Sequence, residues 1–273
     1  MGILETGAAL LLGAALAFSG AQHSAAEASE AADRAAGSAC AVVEGYLEEN
    51  GIAPEQLALG WRDLTTGAEY YVNENEYFYG ASLYKLALNM VWAGRVAAGE
   101  IDWDYRIGRA KLGELSRGSL EDSNNNYSYI LCQGLGSYRK AKLECAPLYG
   151  MTPEEAYAEK KYYKDHWITP RQMITCLQKL WDEPEAYPRV TECLLRAQPG
   201  RYFRLEEDRW PIAQKYGWLH IGGMDISTAG IVWAPRPFLL VVMTHNLPHA
   251  EEHIAALCRL LGDNALALAA PTG

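Results

Sequence analysis

The chain has 273 residues, a formal net charge of −10, and a composition that is 49% apolar and 21% charged, with no run of Lys or Arg. This balance argues against nucleic acid and anionic membrane surfaces as main partners and fits an ordinary soluble globular protein. The length suits one large domain or two small ones.

The first 39 residues differ from the rest. Residues 7–21, GAALLLGAALAFSGA, are an apolar run ending in small residues, short for a membrane span and suited to the core of a signal peptide. Ser19 and Ala21 fit the two small positions before a cleavage site, although MGILET carries Glu5 and no basic residue. An exported protein, extracellular or held at the cell envelope, is therefore expected. The following AQHSAAEASEAADRAAGSA is poor in bulky residues and reads as a tether. A folded domain is expected over residues 40–265, with a short tail at 266–273.

Within that domain, ACAVVEGYLEENG has helical spacing and Gly51 as its stop. LALGWRDLTTGAEYYVNE reads as two strands around a TTG turn. A helix is expected over residues 82–98, ended by Gly99. Residues 108–205 carry helical and loop signals, clearest in NYSYILCQGLG and in TPRQMITCLQKLW, where Thr169 serves as cap and Pro170 opens the first turn. IAQKYGWLHI, ISTAGIVWA and PFLLVVMT then read as three strands, and residues 248–261 as a last helix. The order predicts an α+β fold: a five-stranded antiparallel sheet built from both ends of the chain (40–107 and 206–265), flanked by terminal helices, with an inserted, shortened all-helical lobe at 108–205.

The six cysteines, Cys40, Cys132, Cys145, Cys176, Cys193 and Cys258, form no CxxC or CxxxC pair, and buried free thiols are the default in such apolar helical contexts.

The chemistry centres on ASLYKLAL. Ser82 and Lys85 lie three apart, on one side of a helix start. Helix N-terminal N–H groups favour a developing oxyanion, and a desolvated lysine has a lowered pKa and can accept the serine proton. Alone, this pair reads more readily as a helix cap and a snorkelling lysine, since S-x-x-K occurs by chance in most long sequences. Two further pieces change the balance: Ser123 and Asn125 in EDSNNNY, and Lys215 and Gly217 in QKYGW.

The order S-x-x-K, S-x-N, K-x-G resembles the serine β-lactamase and penicillin-binding protein superfamily, in its class A β-lactamase-like branch. ASLYKLAL, ITPRQM and KYGW with the later AGIVWAPRPFLLVVMT look like that branch in content and order. The resemblance implies Ser82 as acylated nucleophile, Lys85 as base, Ser123 as proton relay to the leaving nitrogen, and Lys215 as a source of positive charge. It implies Asn125, Tyr216, Gly217 and Trp218 as the substrate-binding side, with the backbone N–H groups of Ser82 and Trp218 as oxyanion hole. The implied partner is a small-molecule or peptide substrate, a β-lactam or a cell-wall peptide, with no cofactor.

The sequence departs from that pattern in four respects. Asn124 stands where the family usually has Asp, and Tyr216 where a small hydroxyl residue helps hold the substrate carboxylate. The spacing from Ser82 to Ser123 is 123 − 82 = 41 residues, shorter than in typical members. The region that should carry the deacylating Glu contains Glu154, Glu155 and Glu159 but no Glu-x-x-Leu-Asn, so poor deacylation is expected. Two other classes remain: a ligand-binding or scaffold protein that keeps the fold, and a metalloenzyme using His249 and His253 of HAEEH, with Glu252 as base.

Overall fold

The computed structural model describes residues 5–207, 209–220 and 223–270, with side chains from residue 25. Helix α1 (Glu5–Glu49) is followed by strands β1 (Leu57–Asp63) and β2 (Glu69–Val72). The turn between them is closed by Asp63, whose Oδ1 accepts from the N–H groups of Thr65 (2.6 Å) and Thr66 (3.0 Å). Strand β3 (Phe78–Tyr79) and a 3-10 turn (Ala81–Leu83) lead directly into α2 (Tyr84–Ala97). The central segment holds the β4 (Arg106–Ile107) and β5 (Ala110–Lys111) hairpin, helices α3 (Leu112–Leu120), α4 (Asn125–Gly134), α5 (Tyr138–Cys145), α6 (Pro153–Ala158) and α7 (Lys160–Lys164), then β6 (Trp167–Ile168), α8 (Pro170–Asp182) and α9 (Pro188–Arg196). Strands β7 (Ile212–His220), β8 (Met224–Val232) and β9 (Phe238–His245) and helix α10 (Ala250–Ala269) complete the chain.

The expected five-stranded sheet forms in the order β2-β1-β9-β8-β7, with each neighbouring pair antiparallel. Its central strand explains the sequence pattern. Leu239, Val241 and Met243 of β9 join the core under the helical lobe, whereas Phe238, Leu240 and Val242 join the core under α1 and α10. Alternate residues face opposite sides of a strand, so a strand covered on both faces reads as one apolar run. Helix α8 lies against the lobe side of the sheet, burying Met173, Ile174, Cys176, Leu177 and Leu180. It is capped as its sequence indicates. Thr169 Oγ1 accepts from Gln172 N (3.2 Å), and Gln172 Oε1 accepts from Thr169 N (3.0 Å). All six cysteines are free thiols.

Three features differ from expectation. The first helix is continuous from Glu5, and Ala35 and Ala39 are fully buried in the same core as Val43. Residues assigned to a tether thus begin the folded body, because small side chains let α1 approach α10 closely. The apolar run at 7–21 lies within this helix, and its side chains fall outside the described residues. Among the described residues no helix is long and apolar enough to cross a membrane. Second, α10 continues to Ala269, with Ala265 buried, so residues 266–269 of the expected tail are helical. Third, β3 pairs with β6 through Phe78↔Ile168 and Tyr79↔Trp167, a two-residue ladder too short to leave a periodic signal.

If α1 is part of the body, truncation has a sharp threshold. Removing residues 1–31 should leave the thermal midpoint within a few degrees. Removing residues 1–43 strips Ala35, Ala39 and Val43 from the core and should cost on the order of 3 kcal/mol. Chemical denaturation of the two truncations checks this.

Candidate active site

Ser82 sits in the 3-10 turn before α2, half-buried, at the meeting of the sheet edge and the helical lobe. The turn is held from three directions. Gly80 N donates to His166 O (2.9 Å), Leu83 N to Gly80 O (2.9 Å), and Ser227 Oγ to Tyr79 O (3.1 Å). Ala81 has φ +45°, a left-handed conformation that strains an L side chain by roughly 1–3 kcal/mol and recurs at functional sites. Ser123, in the second motif, has φ +53°.

Strand β7 forms the edge of the sheet and runs against the Ser82 turn. A Cβ on Gly217 would lie 2.5 Å from Gly80 O and 2.7 Å from Ser82 N. The glycine is therefore required by the Ser82 turn itself, rather than by access of substrate to the strand. It places the β7 backbone, and with it the start of Trp218, beside the backbone N–H of Ser82.

The two lysines are fully buried and converge on Ser123. Lys85 Nζ donates to Ser123 O (2.5 Å), Ser123 Oγ (3.2 Å) and Asn125 Oδ1 (2.6 Å). Lys215 Nζ donates to Ser123 Oγ (3.0 Å) and Tyr216 O (2.8 Å). Among the described residues neither lysine has a carboxylate within ion-pair distance. Desolvation accordingly lowers the Lys85 amine to about 8. It pushes Lys215 well below the ordinary lysine range, with the neighbouring charge of Lys85 acting in the same direction. Ser82 Oγ has no hydrogen bond among the described residues, so Lys85 is directed to the second motif in this state.

A buried polar network fixes this geometry from behind. Asn89 Nδ2 donates to Lys85 O (2.7 Å) and Ser119 Oγ (3.0 Å), Ser119 and Ser128 share a hydrogen bond (2.9 Å), and Ser128 Oγ donates to Asn124 O (2.8 Å). These residues tie α2, α3 and α4 together under the lysine. The sequence reading missed them; the available signal was Asn89, a polar residue one turn after Lys85 in an apolar helix. Asn124 has a structural task, since its Oδ1 caps α4 by accepting from Tyr127 N (3.1 Å).

In front of Ser82 lies a cleft of about 470 Å³. Ser82, Asn125 and Trp218 line it, together with Tyr84, Tyr129, Cys132, Tyr138 and His166, and among the described residues no Asp or Glu does. Trp218 is 56% exposed. Lys85, Ser123, Lys215, Tyr216 and Gly217 lie behind these walls. Tyr216 is turned into the core: its ring stacks on Tyr202 at 4.8 Å, its hydroxyl accepts from Gln198 Nε2 (2.9 Å), and Lys215 Nζ stands 4.0 Å from its ring centre. It is thus a packing partner of Lys215, not a cleft residue.

None of the three candidate glutamates reaches the cleft. Glu155 closes a capping box with Thr152, accepting from its N–H at 2.8 Å; Glu159 accepts from Lys161 N (3.0 Å) to start α7; Glu154 is exposed. The histidines of the alternative metal reading are also committed elsewhere. His253 Nδ1 is 2.7 Å from Tyr46 Oη, and His249 lies 4.0 Å from Glu252 at the exposed start of α10. Among the described residues no group of three His, Cys, Asp or Glu side chains is placed to hold a metal ion.

Comparison with known proteins agrees with this architecture. A family model described as the beta-lactamase enzyme family matches residues 46–133 and 131–267. No curated protein matches the sequence. Among solved structures, a beta-lactamase from Chitinophaga pinensis shares 18% identity over 81% of this chain and 98% of its own, with TM-score 0.67. The TLA-1 extended-spectrum beta-lactamase shares 18% over 85% and 98%, with TM-score 0.69. An ancestral class A beta-lactamase shares 19% over 81% and 99%, with TM-score 0.68. These likenesses show the class A fold.

The close approach at Gly217 gives a direct test. Gly217→Ala should force β7 away from the Ser82 turn, costing roughly 1–3 kcal/mol. With the Ser82 and Trp218 N–H groups expected from the sequence to form an oxyanion hole, labelling of Ser82 by a fluorophosphonate should fall by about 10²-fold or more. Unfolding curves and labelling rates on the same sample check both.

Proposed function

The chain belongs to the beta-lactamase enzyme family, and from that premise we propose that it is a serine acyl hydrolase acylated on Ser82 by a β-lactam or a peptidoglycan-like amide. The observation that carries this reading is the convergence of Lys85 and Lys215 on Ser123 beside the Ser82 turn, with Asn125 Oδ1 also accepting from Lys85. Lys85, neutral in a growing fraction as pH rises toward about 8, accepts the Ser82 proton. Its amine lies one turn along the helix from Ser82, and catalytic hydrogen bonds often tighten only once substrate is bound. The backbone N–H groups of Ser82 and Trp218 receive the oxyanion. Ser123 passes a proton to the leaving nitrogen. A substrate carboxylate near Lys215 favours the charged form of that lysine. With the Tyr216 hydroxyl held by Gln198, no small hydroxyl assists in that contact.

Among the described residues no carboxylate lines the cleft to activate the deacylating water, so the acyl-enzyme is proposed to be long-lived. The same absence supports a second reading, a binding protein that retains the fold. Intact-mass spectrometry after incubation with a β-lactam and, separately, a fluorophosphonate separates the two. An adduct on Ser82 is expected with at least one probe, none in Ser82→Ala, and a roughly 10²–10⁴-fold slower reaction in Lys85→Ala. Below about pH 8 the wild-type acylation rate should drop about tenfold per unit as Lys85 is protonated. A folded wild-type protein that takes neither probe belongs to the binding class.

We also propose export, with the mature chain starting soon after Ala21. The mass of the protein recovered outside the cytoplasm checks this, and an intact Met1 in the soluble cytoplasmic fraction contradicts it.

A further inference from the structure

We propose that His166 is the general base that activates water for hydrolysis of the Ser82 acyl-enzyme. The inference rests on the Ser82 reading above and supplies the group for which the cleft has no carboxylate. His166 lines the same cleft as Ser82. Its backbone is fixed to the nucleophile turn, because its carbonyl accepts from Gly80 N (2.9 Å) and the adjoining β6 pairs with β3. A Cβ on Gly80 would lie 2.8 Å from Ile168 Cγ2 and 3.2 Å from His166 O, so this approach, too, depends on a glycine.

The imidazole itself is held in place. It stacks on Tyr84 at 4.2 Å with the rings 15° apart, and its Nδ1 is 3.1 Å from Tyr138 Oη. Nε2 has no hydrogen-bond partner among the described residues. With Nδ1–H donating to the Tyr138 oxygen, the Nε2 lone pair is open to a water in the cleft. Tyr138 is then a positioning residue that selects the tautomer.

The groups around the ring keep it neutral. Tyr84 and Lys85 face it from α2, Tyr138 and Lys142 from α5, Cys132 from α4, and Asp165, Tyr79 and Trp167 from the β3–β6 segments. Burial, followed by the positive charge of Lys142, lowers the imidazole to about 4, while Asp165 opposes this from a position where it accepts from Tyr79 Oη (3.1 Å). The Cys132 thiol is pushed up to about 11 by burial and stays protonated. The ring is therefore an available proton acceptor across the neutral range, but a weak one, which fits slow turnover.

The step balances without a co-reactant. The water oxygen attacks the acyl carbonyl carbon and its proton passes to His166 Nε2. The tetrahedral intermediate then collapses, the bond from carbon to Ser82 Oγ breaks, and the imidazolium returns the proton to Ser82 Oγ. The products are a free carboxylic acid and the original serine.

The experiment follows decay of the β-lactam adduct by intact mass after excess reagent is removed. His166→Gln should still form the Ser82 adduct and lose it roughly 10²–10⁴-fold more slowly. Tyr138→Phe should slow decay by a smaller factor. The wild-type decay rate should be level between about pH 5.5 and 7.5 and fall as pH approaches 4. Unchanged decay in His166→Gln overturns the proposal, as does a wild-type rate that climbs through pH 8 with Lys85, or a wild-type adduct that never decays. If the Gln variant does not fold, the wild-type pH profile decides alone. Absence of any Ser82 adduct would instead overturn the acyl-hydrolase reading itself.

Discussion

The site depends on a desolvated amine. Lys85 has no exposed surface and no carboxylate partner among the described residues, so its three hydrogen bonds to Ser123 and Asn125 are what make its burial tolerable. Each of those acceptors comes from the three-residue stretch before and at the start of α4. Any movement of that stretch would strand a buried polar group. The Asn89–Ser119–Ser128 chain prevents such movement by linking the helix that carries Lys85 to the loop that carries Ser123. A network of this kind is costly when incomplete and rigid when satisfied. Rigidity is what a nucleophile needs, and the same burial that demands the network brings the amine toward the pH range where it can act as a base.

The second constraint is steric. The edge strand β7 carries both Lys215 and the backbone that meets Ser82, and it can do so only because residue 217 is a glycine, while Gly80 admits the β6 segment. The sheet in turn is fixed by cores on both faces: the lobe-side core holds α2 and α8, and the opposite core holds α1 and α10. The Ser82 turn is thus clamped between β7 on one side and the β3–β6 pair on the other. The third motif and the segment with His166 reach Ser82 from opposite directions.

Much of this is written plainly in the sequence. The three long strands at the C-terminal end are apolar runs bounded by Gly and Pro, the α8 cap is a Thr-Pro pair three residues from Gln172, and Ser82, Lys85, Ser123 and Lys215 stand in an order that chance rarely produces. Other features leave weaker marks. The β3–β6 pair has two residues per strand, too few for a period. Ala35 and Ala39 look like tether residues because their role, letting α1 pack closely on α10, requires small size rather than hydrophobic bulk. Tyr216 sits at a position where its neighbours suggest a substrate contact, and only the stacking on Tyr202 and the bond from Gln198 show that it faces the core. The glutamates before α8 resemble catalytic candidates in sequence, yet Glu155 and Glu159 are spent on helix starts. His166 gave no signal, because its importance comes from a fold contact with Gly80 and not from spacing to another motif.

The central claim is that Ser82 is a nucleophile whose oxyanion is received by its own backbone N–H and that of Trp218. A crystal structure of the chain trapped with a β-lactam tests it most directly. The account predicts continuous density from Ser82 Oγ to an acyl carbon, with the carbonyl oxygen within hydrogen-bond distance of both N–H groups. A reagent attached at any other residue, or an acyl oxygen turned away from both groups, would contradict it.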